Sequence, residues 1–370
     1  MKVLLPNKTP LSLYVHLPWC EARCPYCDFS ITTEPVNGND TKLAEAIIKD
    51  INRSKDLVDG RKFKTIYFGG GTPSLASTES IKHILDSIKD RFLSKETEIT
   101  LEMNPSNVSG DRIDKLLMAG INRISLGVQS YNNQELQALG RNHDRESAIQ
   151  ATQALSGINS TIDLIYGIEK QTPDSFAESL EKITQSGVNH LSLYQLIIEP
   201  NTIFYKKELK LPSEEEIEKI EFIAKDLLEK NGYKQYEVSS WSKPGHESQH
   251  NMNYWQFGDF LGVGPGSHSK ISNEKEIIRF RKIKPLEGYI QNQRSTDLKI
   301  ISDNDLDMDL AMNLLRIKNG LLQQDITIKL PASFLKKYQR GIDEGLLLKD
   351  RIGATQKGYR FLNETIQLFF

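Results

Sequence analysis

Leu11-Ser-Leu-Tyr-Val-His-Leu17-Pro-Trp-Cys20-Glu-Ala-Arg-Cys24-Pro-Tyr-Cys27 sets an extended, apolar-rich run directly before three cysteines. A second run, 65–68, breaks at Gly69-Gly70-Gly71-Thr72-Pro73. Working outward, 98–103, 123–128, 160–166 and 190–197 share the same enrichment in β-branched and aromatic residues and read as strands. Helical periodicity fills the gaps. Leu43, Ile47 and Ile51 recur within 42–51, and Ile81, Ile84, Leu85 and Ile88 within 81–92. The segments 111–118, 145–155 and 176–183 follow, the last introduced by Thr172-Pro173, an N-cap with proline at the first helical position. Strand alternating with helix predicts an α/β fold with a parallel sheet. Six such units are too few for a closed eight-stranded barrel. A partial (β/α)6 barrel or an open doubly wound sheet fits.

The polar residues gather where that plan puts a functional face. Cys20 follows the first strand and the three glycines the second. Glu102 and Asn104 end the third, and Gln129 and Ser130 the fourth. Asp163 lies within the fifth, and Gln195 lies in the sixth, which ends before Glu199. The C-terminal ends of parallel strands carry the sites of such folds.

Bulk properties narrow the class. Basic and acidic residues nearly balance, 47 against 49, which disfavours a polyanion such as nucleic acid as the main partner. No stretch approaches the ~20 apolar residues of a membrane span, and the apolar run in 1–10 is too short for a signal peptide. A soluble, cytoplasmic protein is expected. An odd, tightly spaced set of three cysteines does not read as a disulfide framework.

Iron–sulfur clusters are held by thiolates, commonly four. With three available, one iron would keep an open coordination position. The alternative is structural zinc on the three cysteines and His16, although such sites prefer paired C-x-x-C units and no second pair exists. The spacing C-x-x-x-C-x-x-C, followed by Gly69-Gly-Gly-Thr-Pro-Ser74, resembles the radical S-adenosylmethionine (SAM) superfamily. The likeness runs on through Arg123–Gln129, then 162–167 and His250-Asn-Met-Asn-Tyr-Trp255. These stretches resemble the oxygen-independent coproporphyrinogen III oxidase family, and within it the HemW-type heme chaperones.

That resemblance implies a partial (β/α)6 radical SAM barrel with a [4Fe–4S] cluster on Cys20, Cys24 and Cys27 and SAM on the open iron. Gly70, Gly71 and Thr72 would allow close backbone approach. Glu102 would accept from the SAM amino group and Arg141 would pair with its carboxylate. Gln129 and Asp163 would bond the ribose. Tyr14 would pack near adenine or cluster, or serve as a core aromatic. Gln195 and the loop 262–266 would line the adenine pocket, with His268 at that loop's end. A flavodoxin- or ferredoxin-type donor would supply electrons.

Oxidase and chaperone differ in three ways. The oxidases carry a further cysteine two positions beyond the third, where Phe29 stands here; they place a longer segment before the motif; and 250–255 matches the chaperone signature associated with heme. The expected function is therefore a heme chaperone that passes heme to respiratory apoproteins, with the oxidase as alternative. His250 or Tyr254 would ligate heme, and Trp255 would stack on it. From the residues alone, His250 reads as a hydrogen-bonded structural histidine and Tyr254 and Trp255 as core aromatics. One departure stands out. Where the family usually has Leu-Pro-Gly-Gln-Thr, this chain has Ile168-Glu-Lys-Gln-Thr172, which puts the path of that loop in question.

The chain divides by pattern into a barrel over 1–212, an extension carrying the 250–255 motif over 213–300, and a C-terminal unit over 301–370. The helical 305–317 and 332–340, then strand, turn, strand and helix over 346–362, give that unit a winged-helix-like order. It has no concentrated basic face, so packing is favoured over DNA binding. Monomer or homodimer, and peripheral membrane contact, are left open.

Overall fold

The computed structural model describes residues 9–58, 60–273 and 276–370, so most of the N-terminal run read above lies outside the described residues. Among them, six parallel strands come first: β1 (Leu11–Leu17), β2 (Phe63–Gly70), β3 (Glu98–Met103), β4 (Arg123–Gln129), β5 (Ser160–Tyr166) and β6 (His190–Gln195). Helices at Asn39–Arg53, Thr78–Phe92, Gly110–Ala119, Arg145–Ala154 and Pro173–Gln185 return the chain between them. The (β/α)6 arrangement expected from the sequence is present. Thr172 caps its helix as its sequence predicts, accepting from Ser175 N–H in a capping box.

Each parallel strand alternates. Leu11, Leu13, Val15 and Leu17 of β1 are buried with Ile47, Ile81, Ile84 and Ile88 of the surrounding helices. The intervening Ser12, Tyr14 and His16 turn to the other face of the sheet, where they meet Thr65, Tyr67 and Gly69 of β2. The lumen is thus polar, and the apolar core lies between sheet and helices.

The sheet is wider than the sequence suggests. Adding β7 (Lys234–Glu237), β8 (Ser240–Ser242), β9 (Asp259–Val263), β10 (His268–Ser272), β11 (Ile277–Lys282) and β12 (Ser295–Ile300) gives one sheet ordered β12-β11-β10-β9-β1-β2-β3-β4-β5-β6-β8-β7. The glycine-rich segment 258–268, which shows no simple periodicity, supplies β9, parallel to β1 with Leu11 opposite Asp259. Long-range pairing overrides its weak local pattern. Asp259 is fully buried and held by Arg61 (2.6 Å), Lys270 (3.3 Å) and the Ser272 N–H (2.9 Å). Asp259→Ala would strand the buried Lys270 ammonium, whose pKa burial already pushes down to about 8. The expected cost is about 3–5 kcal/mol in denaturant unfolding; a change below about 1 kcal/mol would show that the charges are solvated.

The helix Gln249–Trp255 closes the lower end of the strands. Its first turn points the backbone N–H groups of Gln249 and His250 at the Glu98 carboxylate (3.3 and 3.0 Å) at the start of β3. Residues 301–370 form a second apolar core around Leu310, Leu314, Phe334, Tyr338 and Phe369, joined by Phe257 and Ile277. The expected strand–turn–strand over 346–362 is a correction. Only isolated bridges, Leu347 with Ala354 and Leu321 with Ile352, precede helices at Gln356–Arg360 and Leu362–Gln367. The Tyr338 hydroxyl enters the turn, accepting from Gly353 N–H (2.9 Å) and donating toward the Arg351 carbonyl (2.8 Å), so a side chain takes the place of a ladder.

Candidate functional site

The loop after β1 is pinned at both ends. Cys20 N–H donates to Thr32 O (2.9 Å), Thr32 N–H to Pro18 O (2.8 Å), and Cys27 N–H closes a turn on Cys24 O (3.1 Å). Gly71 and Thr72 dock on this loop through N–H bonds to Leu17 O (2.8 Å) and Trp19 O (2.6 Å). A Cβ at Gly71 would run into the Trp19 carbonyl, and Gly70, at φ +114°, would put one 2.6 Å from the His16 ring. These two glycines are needed by the protein's own packing as well as by any ligand.

The loop forms one wall of a cavity of about 360 Å³ at the C-terminal ends of β1–β6. Cys20, Cys24, Cys27, Phe29, Gly70, Gly71, Thr72, Glu102, Gln129, Arg141, Asp163 and Gln195 all line it. The fold therefore brings together most of the residues singled out from the sequence. Phe29 stands 60 % exposed at the edge. Tyr14 sits one layer below, bonded to His16 Nδ1 (3.2 Å). The loop 262–266, His268 and His250 lie outside the cavity lining.

The three thiols are free and half-buried. Burial pushes Cys20 up to about 11 and raises Cys27, so both are protonated at neutral pH until a metal displaces the proton. Thr72 Oγ1 donates to the Cys20 sulfur (3.7 Å) and Arg141 Nη1 to the Cys24 sulfur (3.5 Å). Among the described residues, no three Cys, His, Asp or Glu side chains converge on a point suited to a single ion. His16 is not free to complete a zinc site: its Nε2 faces Ser30 O (2.8 Å) and its Nδ1 the Tyr14 hydroxyl. Three soft thiols, with N–H and O–H donors at two of the sulfurs, fit a multi-iron cluster.

Two half-buried carboxyls line the same cavity. Glu102 accepts from Tyr67 O–H (2.8 Å) and Gly70 N–H (3.3 Å). Burial pushes it up to about 7; the two donors oppose that rise and Asp163 adds to it. Asp163 accepts from Ser125 O–H (2.7 Å) and is also raised by burial. Arg141 Nη2 is tied to Asn104 Oδ1 (2.8 Å) and Gly127 O (3.0 Å), while its Nε is buried without a hydrogen-bond partner among the described residues. Gln129 sits at φ +68° beside an irregularity in the β4–β5 register, which aims it into the cavity.

His250 is 2 % exposed. Its Nδ1 is 2.7 Å from Thr65 Oγ1, its Nε2 has no hydrogen-bond partner among the described residues, and burial pushes its pKa down to about 3. Tyr254 meets it edge-on at 5.0 Å, and Trp255 lies under the Arg316 guanidinium at 4.3 Å. The hydrogen-bonded, aromatic surroundings read from the residues alone are what the fold provides. At the departure from the family's loop, Lys170 adopts φ +68° and Gln171 bonds Gly167 N–H (2.7 Å), so the backbone follows a path that a glycine would take without strain.

Tyr26, Tyr67, Ser125, Gly127 and Tyr194 also line the cavity and were not assigned roles from the sequence. The signal that could have found Tyr67 and Ser125 is period-2 alternation inside parallel strands, which sets Tyr67 on one face with Gly69 and Ser125 with Gln129; Tyr194, next to Gln195 in its strand, has no such signal.

A profile of the Radical SAM superfamily matches residues 14–183. The chain is 37 % identical over 379 residues to "Heme chaperone HemW" of Haemophilus influenzae, covering 99 % of each chain. It is 34 % identical over 370 residues to the protein of that name in Escherichia coli, covering 97 % of this chain and 98 % of that one. Among solved structures, coproporphyrinogen III oxidase (HemN) from Escherichia coli, described as a radical SAM enzyme, superposes with a TM-score of 0.80 at 24 % identity. That match covers 98 % of this chain and 90 % of the other.

Proposed function

The chain belongs to the HemW family of the radical SAM superfamily, and on that premise we propose that it is a heme chaperone holding a [4Fe–4S] cluster, SAM and heme, and delivering heme to respiratory apoproteins. The observation that carries the cofactor part is the cavity, whose lining holds three thiols together with the Glu102–Asp163 pair. Cys20, Cys24 and Cys27 hold the cluster, and Thr72 and Arg141 donate to two of the sulfurs. Glu102 accepts from the SAM amino group. Arg141 places its charge beside Cys24, near the SAM carboxylate. Gln129 and Asp163 take the ribose hydroxyls. A bound cluster with SAM supplies one-electron chemistry, fed by a flavodoxin- or ferredoxin-type donor.

The heme part is supported by full-length likeness to proteins named heme chaperones. It is also supported by Phe29 at the position where the oxidases carry a further cysteine. Phe29, Ile197, Ile203 and Tyr205 are exposed, and Phe204 N–H bonds Pro25 O (3.0 Å), which ties that segment to the cysteine loop. An apolar macrocycle has an apolar margin to rest on here. For His250 to ligate heme iron, the helix Gln249–Trp255 has to open away from the strands, because the ring is enclosed.

The second reading is the oxidase, favoured by the fold shared with HemN. Anaerobically reconstituted protein would be given heme alone, or coproporphyrinogen III with SAM and a reductant. Stable heme uptake without decarboxylation is expected. Conversion to protoporphyrinogen IX would overturn the chaperone reading.

A further inference from the structure

We propose that His250 and Tyr67 form a stacked column that positions Glu102 for the SAM amino group, so that the 250–255 motif serves the SAM site from beneath. The inference rests on the reading that SAM occupies the cavity.

The column is continuous. The His250 and Tyr67 rings lie 4.8 Å apart at 27° between planes, and the Tyr67 hydroxyl donates to Glu102 Oε1 at 2.8 Å. Below, the imidazole is fixed by Thr65 at Nδ1 and by Tyr254, edge-on at 5.0 Å, while the backbone N–H of His250 donates to Glu98 at 3.0 Å. Above, Tyr14 stacks on Tyr67 at 6.3 Å and 21°. Tyr67 thus has an aromatic support on two sides, and its hydroxyl has one carboxylate to serve. Among the described residues, Glu102 receives one other hydrogen bond, from Gly70 N–H. Removing the imidazole would leave a void under the Tyr67 ring, which packing would fill by moving that ring away from Glu102. In this arrangement a positioning role needs the flat ring of His250, whereas heme ligation needs its nitrogen.

That difference makes the test. Equilibrium dialysis would measure SAM affinity on cluster-loaded protein. The electron paramagnetic resonance spectrum of the reduced cluster, with and without SAM, would report the same event independently. His250→Ala should weaken SAM binding at least roughly tenfold, the scale of one hydrogen bond to a charged group, with cluster content unchanged. His250→Phe should restore most of the affinity. Tyr67→Phe, which keeps the ring and loses only the hydroxyl, should reproduce the loss in a variant that retains its packing. Heme uptake measured on the same variants should separate the two roles, since His250→Phe cannot ligate iron. Wild-type SAM affinity in His250→Ala, or equal loss in His250→Phe and His250→Ala, would overturn the column. Failure of the wild-type protein itself to bind SAM would instead sink the reading of the cavity, and the column with it.

Discussion

Cys24→Ala is expected to abolish cluster loading: iron and acid-labile sulfide after anaerobic reconstitution should fall to background, while circular dichroism stays that of the native fold. All three cysteines of the chain lie within one loop and on one cavity wall, so no spare thiol can replace the one removed. Two thiolates cannot hold a cluster that already lacks a fourth. The fold should survive because Cys24 is half-buried and its sulfur makes only weak contacts, with Arg141 Nη1 at 3.5 Å. The loop is held instead by backbone bonds at Cys20 and Thr32. SAM affinity should disappear with the cluster. A variant that kept iron and sulfide after loss of Cys24 would break the cluster assignment.

Glu102→Gln should weaken SAM binding by about 10- to 150-fold, the range of one hydrogen bond to a charged group, and should flatten its pH dependence. Burial raises Glu102 above its ordinary range to about 7, Asp163 adds to the rise, and Tyr67 O–H and Gly70 N–H resist it. Of the other ionisable groups on the surrounding strands, Tyr14 from β1 and Tyr194 from β6 interact with Glu102, and both are held protonated by burial. The acceptor form of Glu102 is the ionised one. Affinity should therefore be full above pH 7 and fall as pH drops through 7, approaching tenfold per unit on the acid side. The stability sign is opposite. A carboxyl raised on folding favours the folded state less as pH climbs through the interval between its unfolded and folded values. Glu102→Gln should therefore lose less stability than the wild type as pH rises from 4.5 to about 7. Isothermal titration across pH 6–8 would check the binding profile. A wild-type profile with no inflection near 7 would remove Glu102 from the amino-group site.

Much of this site was legible because its residues are local. Cys20, Cys24 and Cys27 share one loop, and Gly70, Gly71 and Thr72 form one strand end. Glu102 and Gln129 lie at or near the end of a strand, and Asp163 within one, and the enrichment of these strands in β-branched and aromatic residues is readable. Strand–helix alternation then places those ends on one face, whatever the detailed packing. What escaped depends on contacts distant in sequence. The strand Asp259–Val263 is stabilised by pairing with Leu11–Leu17 and by a buried aspartate between Arg61 and Lys270. Of those partners only Lys270 is nearby in the chain; Arg61 is 198 residues from Asp259 and Leu11–Leu17 farther still. The turn around 350–354 reads as a hairpin until Tyr338, a helix away, takes over its backbone groups.

His250 shows the boundary most clearly. Sequence pattern marks 250–255 as a motif and, through resemblance, as one associated with heme. It could not show that the helix closes the barrel from below, that Thr65 holds one imidazole nitrogen, or that Tyr67 lies flat on the ring.

By itself the sequence determined the order of the six parallel strands and the helices between them, the cysteine loop and the identity of the groups at the strand ends. These follow from local periodicity and spacing, which act within a few residues. Only the tertiary structure decided which of those groups face one another, how far burial lifts Glu102, and which side of the site His250 serves. Distance, desolvation and ring stacking exist only once segments remote in the chain are packed together.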